Sequence, residues 1–438
     1  MTNNVSLLLL AVAFVLVHHP FVSSTTEDDF FPPIAEPSDI SYFFADYDLD
    51  GLHWALTNIF DRSARNPTVL EKELPQELVS RGGGQTYTSE YKLKHDLAQA
   101  KYLADYLVDV DPKKAAYFQS KVIPIYEAVL KNIPPLDELE NTKGLYAFSK
   151  EDYALGIGEV YNKALYMTSS DELDPSWRQN ELLNQRLDLD RIQKQWIGDD
   201  SGLLGEADSS PDQSPSVVPG VIVIDNLLDE QALTLIRELL LKNTWWFQTK
   251  TPLQFGRYVG AYVDDGMHDP LLLQLALELH KKLPKIMTGH ELRYMWAYKY
   301  DSSFNSGINL HADEAAVNVN IWLSLEGADL EEDGYEGGLL VYTAKPKEEM
   351  NFKTYNTRAD EFVVKELLEP SNFANVTIKH QPNRCVIFDS ALFHQTQKYK
   401  FKTGYQNSRI NLTLLYGKMK KDGSESQTDS SSITKEEL

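Results

Sequence analysis

The chain of 438 residues is 42% hydrophobic and 24% charged, which suits roughly two to three globular domains and excludes a collagen-like, coiled-coil or wholly disordered architecture. Its 65 acidic residues against 42 basic ones leave a formal charge of −23 with no offsetting basic patch, so nucleic acid is excluded as a partner. A single cysteine, Cys385, can neither close an intrachain disulfide nor build a thiolate cage, so any metal must be held by His and carboxylate.

Residues 1–24 read as a cleaved signal peptide: the apolar run Val5 to Val17 is followed by Pro20 and the small-residue exit Val22-Ser23-Ser24. The alternative, a membrane anchor, needs about 20 apolar residues, and this run is shorter. Residues 25–89 form an acidic lead-in punctuated by Pro32-Pro33 and Gly82 to Gly84. From 90 to 197 apolar residues recur at spacings of three and four in YKLKHDLAQAKYLADYL, EDYALGIGEVYNKALYM and QNELLNQRLDLDRIQKQWI, which predicts a bundle of several helices without an internal repeat. His95 in the first of these is read as a packed side chain beside Asp96.

Residues 198–219, rich in Gly, Ser, Asp and Pro, predict a flexible linker. Beyond it GVIVI reads as a buried strand and Asp229 as the cap of the helix that follows. RYMWAYKY, AVNVNIWLSL, GGLLVYT, CVIFD and RINLTLLYG are short, β-branched or aromatic, and separated by turns. Residues 220–418 therefore read as an antiparallel barrel or sandwich with helical decoration, an α+β chain overall. The tail from 419 to 438 is polar and expected to be disordered; its ending, Lys435-Glu436-Glu437-Leu438, looks like the endoplasmic-reticulum retrieval signal. Together with the leader this predicts the secretory pathway, in the endoplasmic reticulum lumen or secreted, with no stable membrane anchor after cleavage.

The candidate chemistry lies in the β region. His311-Ala312-Asp313 places two ligand types two residues apart, on one side of an extended segment, and His394 on a later strand supplies a third. Two imidazoles and one carboxylate on one face of an ion leave adjacent positions open, as in non-haem Fe(II) oxygenases. An H-x-D with a distant His is a weak signal alone. Arg409 sharpens it, because a guanidinium is suited to a bidentate grip on a carboxylate. The period of two puts Arg409, Asn411 and Thr413 on one face and Ile410, Leu412 and Leu414 on the other, and likewise sets Asn318, Asn320, Trp322 and Ser324 against Val317, Val319, Ile321 and Leu323. An inward Asn411 cannot carry a glycan, so Asn375-Val376-Thr377 is a better glycosylation motif than Asn411-Leu412-Thr413. Asp389 reads equally as an orienting group for a ligand imidazole or as a turn residue, Cys385 as a core thiol, and Trp322 as a substrate platform or a barrel filler.

His311-x-Asp313, His394 and Arg409, in this order on successive strands, resemble the iron- and 2-oxoglutarate-dependent oxygenase superfamily, with a layout similar to its prolyl 4-hydroxylase-like branch. Gly337-Gly338 before a hydrophobic strand, RCVIFDSALFHQT and GYQNSRINLTLLYG resemble an uncharacterised group of that superfamily, some of whose members are fused to tetratricopeptide repeats. The resemblance implies a double-stranded β-helix (jelly-roll) catalytic core, with His311, Asp313 and His394 as iron ligands and Arg409 holding the distal carboxylate of 2-oxoglutarate. It also implies O2 as co-substrate, ascorbate as an accessory reductant, and a tyrosine touching the cosubstrate, for which Tyr300 is preferred to Tyr298. Asn411 stands where some relatives place a helper for that carboxylate, and the strand face that carries Asn320 reads either as the lining of a polar pocket, with Asn320 at the cosubstrate, or as a solvent-exposed face. Prolyl 4-hydroxylases carry Lys where this chain has Arg409, so it departs from them there. The prime substrate, whether peptide, glycan or small metabolite, is not supplied by the resemblance. Two rivals stay open: a jelly roll that binds without turnover, and a scaffold whose helical region recruits partners. A three-His cupin barrel is disfavoured, since the chain has no H-x-H.

Overall fold

The computed structural model describes residues 39–41, 44, 48–65, 86–198, 220–250, 252–253, 256–300, 303–304, 310–330, 337–347, 350, 355–356 and 359–418. The expected leader, the triple glycine, the linker beyond Gly198 and the polar tail with its retrieval-like ending lie outside the described residues. Among the described residues no helix is long and apolar enough to cross a membrane.

The acidic lead-in holds more structure than its composition suggests. LDGLHWAL repeats apolar residues at helical spacing, and Leu49–Arg65 forms a helix that buries Leu52, Ala55 and Leu56 in the main core. Next, the short strands β1 (Tyr87–Thr88) and β2 (Tyr146–Ala147) pair around a helical cluster. Its first helix, Glu90–Tyr106, is capped by the Ser89 hydroxyl, which accepts from Lys92 N. Leu93, Leu103 and Leu107 pack there against Phe118, Val122, Val129 and Ile157. EDYALGIGEVYNKALYM, apolar at helical spacing, forms the two short helices Lys150–Ala154 and Ile157–Val160. Gly156, at φ +96, breaks the run, and Asn162 at φ +50 ends it.

The helical stretch 90–197 shares its packing with the β region. Trp177, Leu182, Leu183 and Ile192 belong to the main core, and the Glu278 carboxylate accepts from the amides of Leu182 and Leu183, both at 3.0 Å. At the other contact, Lys299 is fully buried and donates to Leu240 O (3.1 Å) and Tyr405 Oη (2.8 Å), with its ammonium over the rings of Trp246 and Tyr405. From the Glu90–Tyr106 helix, Tyr91 Oη donates to Lys299 O, and Gln99 donates to the carbonyls of Leu241 and Asn243. His95 is buried in the same contact, with Nδ1 on Asp96 and its ring beside Trp246 and Tyr405, so it is a packed side chain as expected.

The described residues of 220–418 build two larger antiparallel sheets and one two-stranded pair. Strands β3 (Val221–Ile224), β4 (Gln248–Thr249), β5 (Tyr258–Tyr262), β6 (Leu292–Tyr300), β8 (Val317–Trp322), β11 (Cys385–Asp389) and β14 (Ile410–Tyr416) form the larger, in the order β3-β11-β8-β14-β6-β5-β4. Strands β9 (Leu339–Tyr342), β10 (Asn375–Ile378) and β12 (His394–Thr396) form the smaller, in the order β10-β9-β12, and β7 (Ser303–Phe304) pairs with β13 (Tyr399–Lys400). One face of the larger sheet carries Val317, Val319, Ile321, Cys385, Ile387, Ile410, Leu412 and Leu414. It packs on the helices Glu230–Lys242, capped by Asp229, and Pro270–Lys282, capped by Asp269. Each such side chain is worth about 1.5–3 kcal/mol of burial. From the other face, Val221, Trp322, Val386 and Phe388 meet Leu339, Val341, Val376 and Ile378 of the smaller sheet. The period-two reading of both strands thus matches the observed faces. The Gly337-Gly338 pair permits the crossing into β9, since a Cβ on Gly338 would sit 1.7 Å from Ile378 O.

Candidate metal and carboxylate site

The edge of the smaller sheet fixes the first two candidate ligands. His311 and His394 form an antiparallel bridge, His311 N donating to His394 O (3.0 Å) and His394 N to His311 O (2.8 Å), which brings their ring centroids to 4.2 Å. Asp313 N donates to Ser390 O (3.1 Å), turning its carboxylate toward both rings: Oδ1 lies 3.9 Å from His311 Nε2 and Oδ2 3.5 Å from His394 Nε2. One ligand atom from each of the three residues falls within 4.8 Å of the others.

The imidazole of His394 is oriented by its own backbone. Its Nδ1–H donates to Leu392 O (2.9 Å), leaving the Nε2 lone pair for a metal, as ligating histidines require. Burial pushes the Asp313 carboxyl up from its ordinary range and His394 well down, the latter helped by the neighbouring His311. The His394 shift keeps the imidazole neutral, the form that ligates, and a divalent cation among these groups would offset the cost of ionising Asp313. Two imidazole nitrogens and one carboxylate, with His311 still 25% exposed on one flank, suit a mid-row divalent metal with positions left open.

A ladder of amides runs inward from the triad. Asn318 Nδ2 donates to Asp313 Oδ2 (2.6 Å), and Asn320 Nδ2 donates to Asn318 Oδ1 (2.6 Å). Asn320 Oδ1 in turn accepts from Thr413 Oγ1 (3.0 Å) and Asn411 Nδ2 (3.3 Å), while Asn411 Oδ1 accepts from Arg409 Nη1 (3.4 Å). These residues face one another because β8 and β14 pair Asn320 with Thr413 and Trp322 with Asn411. With its amide so engaged and the residue only 5% exposed, Asn411 faces inward as the strand alternation predicts.

Arg409, one residue before β14, ends this ladder. It is 2% exposed, its Nε donates to Gly337 O (3.0 Å), and its guanidinium lies over Tyr300 (4.6 Å to the ring centroid) and near Tyr399 (5.8 Å). Among the described residues no carboxylate pairs with it. A buried, always-charged group in that position calls for an anionic ligand. Tyr300 contributes its ring face, and burial raises its hydroxyl pKa against the opposing pull of Arg409. Tyr298 sits in the same aromatic cluster with Tyr258, Tyr262 and Phe401.

The structure therefore brings His311, Asp313, His394, Asn320, Asn411, Arg409 and Tyr300 to one internal site. Asp389 takes the turn role of its two readings: Oδ1 accepts from Ala391 N and Oδ2 pairs with Lys345, whereas the ligand imidazole is held by Leu392 O. Cys385 is a fully buried core thiol, and Trp322 fills the space between the sheets, stacked on His380. Sequence reading placed Asn318 and Thr413 on the right faces without giving them a role; their alternation with Asn320 and Asn411 was the available signal. Asp329 and His380, which border Arg409 through Gly337, left no such signal, because both lie in irregular segments between strands.

No family model matches the chain, and no curated protein matches it. Among solved structures, the chain is similar to HygX from Streptomyces hygroscopicus with nickel, 2-oxoglutarate and hygromycin B bound, at 15% identity over 46% of this chain and 84% of that one, with a TM-score of 0.31. A 2OG-Fe(II) oxygenase family protein from Burkholderia pseudomallei matches at 12% identity over 45% and 84%, with a TM-score of 0.29. The non-heme alpha ketoglutarate dependent epimerase SnoN from nogalamycin biosynthesis matches at 12% identity over 52% and 83%, with a TM-score of 0.34.

Proposed function

We propose that this protein is an Fe(II)- and 2-oxoglutarate-dependent dioxygenase built on a double-stranded β-helix, and that it hydroxylates its substrate. The observation that carries the reading is the hydrogen-bonded ladder from Asp313 to Arg409, which ties a three-ligand metal site to a buried guanidinium lacking a carboxylate partner among the described residues. His311, Asp313 and His394 would hold the metal; Arg409 would hold the distal carboxylate of the cosubstrate, with Tyr300 beneath the guanidinium and Asn411 fixing its Nη1. When bound, the metal and cosubstrate supply the oxidation: one atom of O2 ends in succinate, released with CO2, and the other in the hydroxylated product. The chain's own part is orientation. Leu392 O aims His394, Asn318 holds one oxygen of Asp313, and the aromatic cluster around Tyr300 keeps water from the Arg409 grip.

A peptide, a glycan or a small metabolite remains the class of prime substrate. The apolar run Val5 to Val17 and the ending Lys435 to Leu438 support a secretory setting; deleting Lys435 to Leu438 is expected to increase release from cells, and unchanged retention removes that reading. The decisive test of the activity is an anaerobic titration of the purified protein with Fe(II) and then 2-oxoglutarate. A metal-to-ligand charge-transfer band that His311→Ala abolishes is the expected result. Folded, iron-loaded protein without that band would leave a barrel that binds rather than turns over.

A further inference from the structure

His380 has no part in the reading so far, yet it is poised against the Arg409 pocket. Its side chain is fully buried, stacked on Trp322 (5.3 Å between centroids, 22°) and met edge-on by Phe401 (5.1 Å). Its Nδ1 lies 3.2 Å from Asp329 Oδ2 without hydrogen-bond geometry in this state, and Nε2 has no partner either among the described residues. Such a buried, unsatisfied nitrogen is costly and marks a place for a missing partner. Two neighbours, Gly337 and Trp322, link it to Arg409. A Cβ built on Gly337 would lie 3.5 Å from both His380 Cβ and Asp329 Oδ2, and the carbonyl of that same Gly337 accepts from Arg409 Nε. Trp322, on which the imidazole stacks, is the register partner of Asn411, which accepts from Arg409 Nη1.

We propose that His380 is a second donor to the distal carboxylate of 2-oxoglutarate and takes up a proton from solvent as that carboxylate docks on Arg409. This rests on the oxygenase reading and deepens it. Before docking the imidazole is neutral: burial, with Arg409 and Arg384 beside it, holds it down at about 4 against the opposing pull of Asp329. Arg384 is itself paired with Asp225. Arrival of a carboxylate places the ring between two anions. One added proton then gives an imidazolium that donates Nδ1–H to Asp329 and Nε2–H to the ligand. A binding event that takes up one proton weakens about tenfold for each pH unit above the pKa reached in the complex.

The test is calorimetric titration of 2-oxoglutarate into the full-length, Fe(II)-loaded protein under anaerobic conditions, from pH 6 to 8, in two buffers of different ionisation enthalpy. Loading the metal first keeps proton release by its ligands out of the count. The wild type is expected to take up close to one proton and to bind more tightly at pH 6 than at pH 8. His380→Gln keeps a donor that cannot titrate, so its affinity is expected to be flat with pH and its proton count near zero. Should that variant not fold, Asp329→Asn serves instead, and is expected to lower the proton count while His380 stays in place. A wild type that binds without proton uptake, or a folded His380→Gln with the wild-type count, overturns the proposal. A wild type that does not bind 2-oxoglutarate at any pH overturns the oxygenase reading instead.

Discussion

Asn318→Ala cuts the ladder at its junction with the candidate metal site of His311, Asp313 and His394. Asn318 is fully buried, and its amide holds Asp313 Oδ2 at 2.6 Å while accepting from Asn320. A hydrogen bond to a charged partner contributes about 1.5–3 kcal/mol, and supporting partners of metal ligands commonly matter by about 10–100-fold in affinity. The expected loss is therefore about 10–100-fold in Fe(II) affinity, measured anaerobically by competition with a chromophoric chelator. Asn320→Ala is the control, since it touches Asn318, Asn411 and Thr413 but none of the three ligands. It is expected to weaken 2-oxoglutarate binding and leave iron affinity within about threefold, less than 1 kcal/mol. If Asn318→Ala bound iron as tightly as the wild type while remaining folded, the ladder would not be orienting Asp313, and the link between the two halves of the site would fail.

His311→Ala, Asp313→Ala and His394→Ala are each expected to abolish iron-dependent succinate formation; wild-type turnover in any of them refutes the ligand set. Arg409→Ala is expected to raise the KM for 2-oxoglutarate by about 100-fold or more, the loss of roughly 3 kcal/mol of charge-assisted grip, with iron affinity nearly unchanged; an unaltered KM removes the carboxylate assignment. Tyr300→Phe keeps the ring beneath Arg409 and is expected to be mild, whereas Tyr300→Leu is not. Buried His95, His268 and His380 are each held down at about 4, so the unfolded chain binds more protons between about pH 6.5 and 4. Their stabilising contribution is full above 6.5 and is lost on acidification, by about 2 kcal/mol per imidazole at pH 5. Melting temperatures that do not fall between pH 7.5 and 5 contradict this.

Legibility in the sequence followed periodicity. Strands β8 and β14 alternate cleanly between amides or cation and aliphatics, so the inward faces of Asn320, Asn411 and Arg409 could be read from the sequence, and His311-x-Asp313 marked the bridge to His394. The lead-in helix was hidden by its acidic, mixed composition, although Leu52, Ala55 and Leu56 already carried helical spacing. The helical region misled in the opposite way: its periodic stretches are interrupted by Gly156 and by the extended run around Leu182 and Leu183, whose partners lie far along the chain at Leu228 and Glu278. His380 and Asp329 could not be anticipated, because only the tertiary crossing at Gly337 brings them to Arg409.

The seat of Lys299 bears on how this protein should be handled at the bench. On β6 the neighbours Tyr298 and Tyr300 belong to the aromatic cluster by Arg409, while Lys299, between them, points the other way into the contact with Trp246, Tyr405 and the Glu90–Tyr106 helix. Trimming the chain to residues 220–418 would strip the cover from that ammonium and remove Leu52, Leu56, Trp177, Leu182, Leu183 and Ile192 from the core. At about 1.5–3 kcal/mol each, those six side chains match the whole stability margin of about 5–15 kcal/mol for an ordinary domain. Assays on residues 220–418 alone would then return negatives that speak of unfolding and not of chemistry, so the shortest useful fragment begins before the Leu49–Arg65 helix.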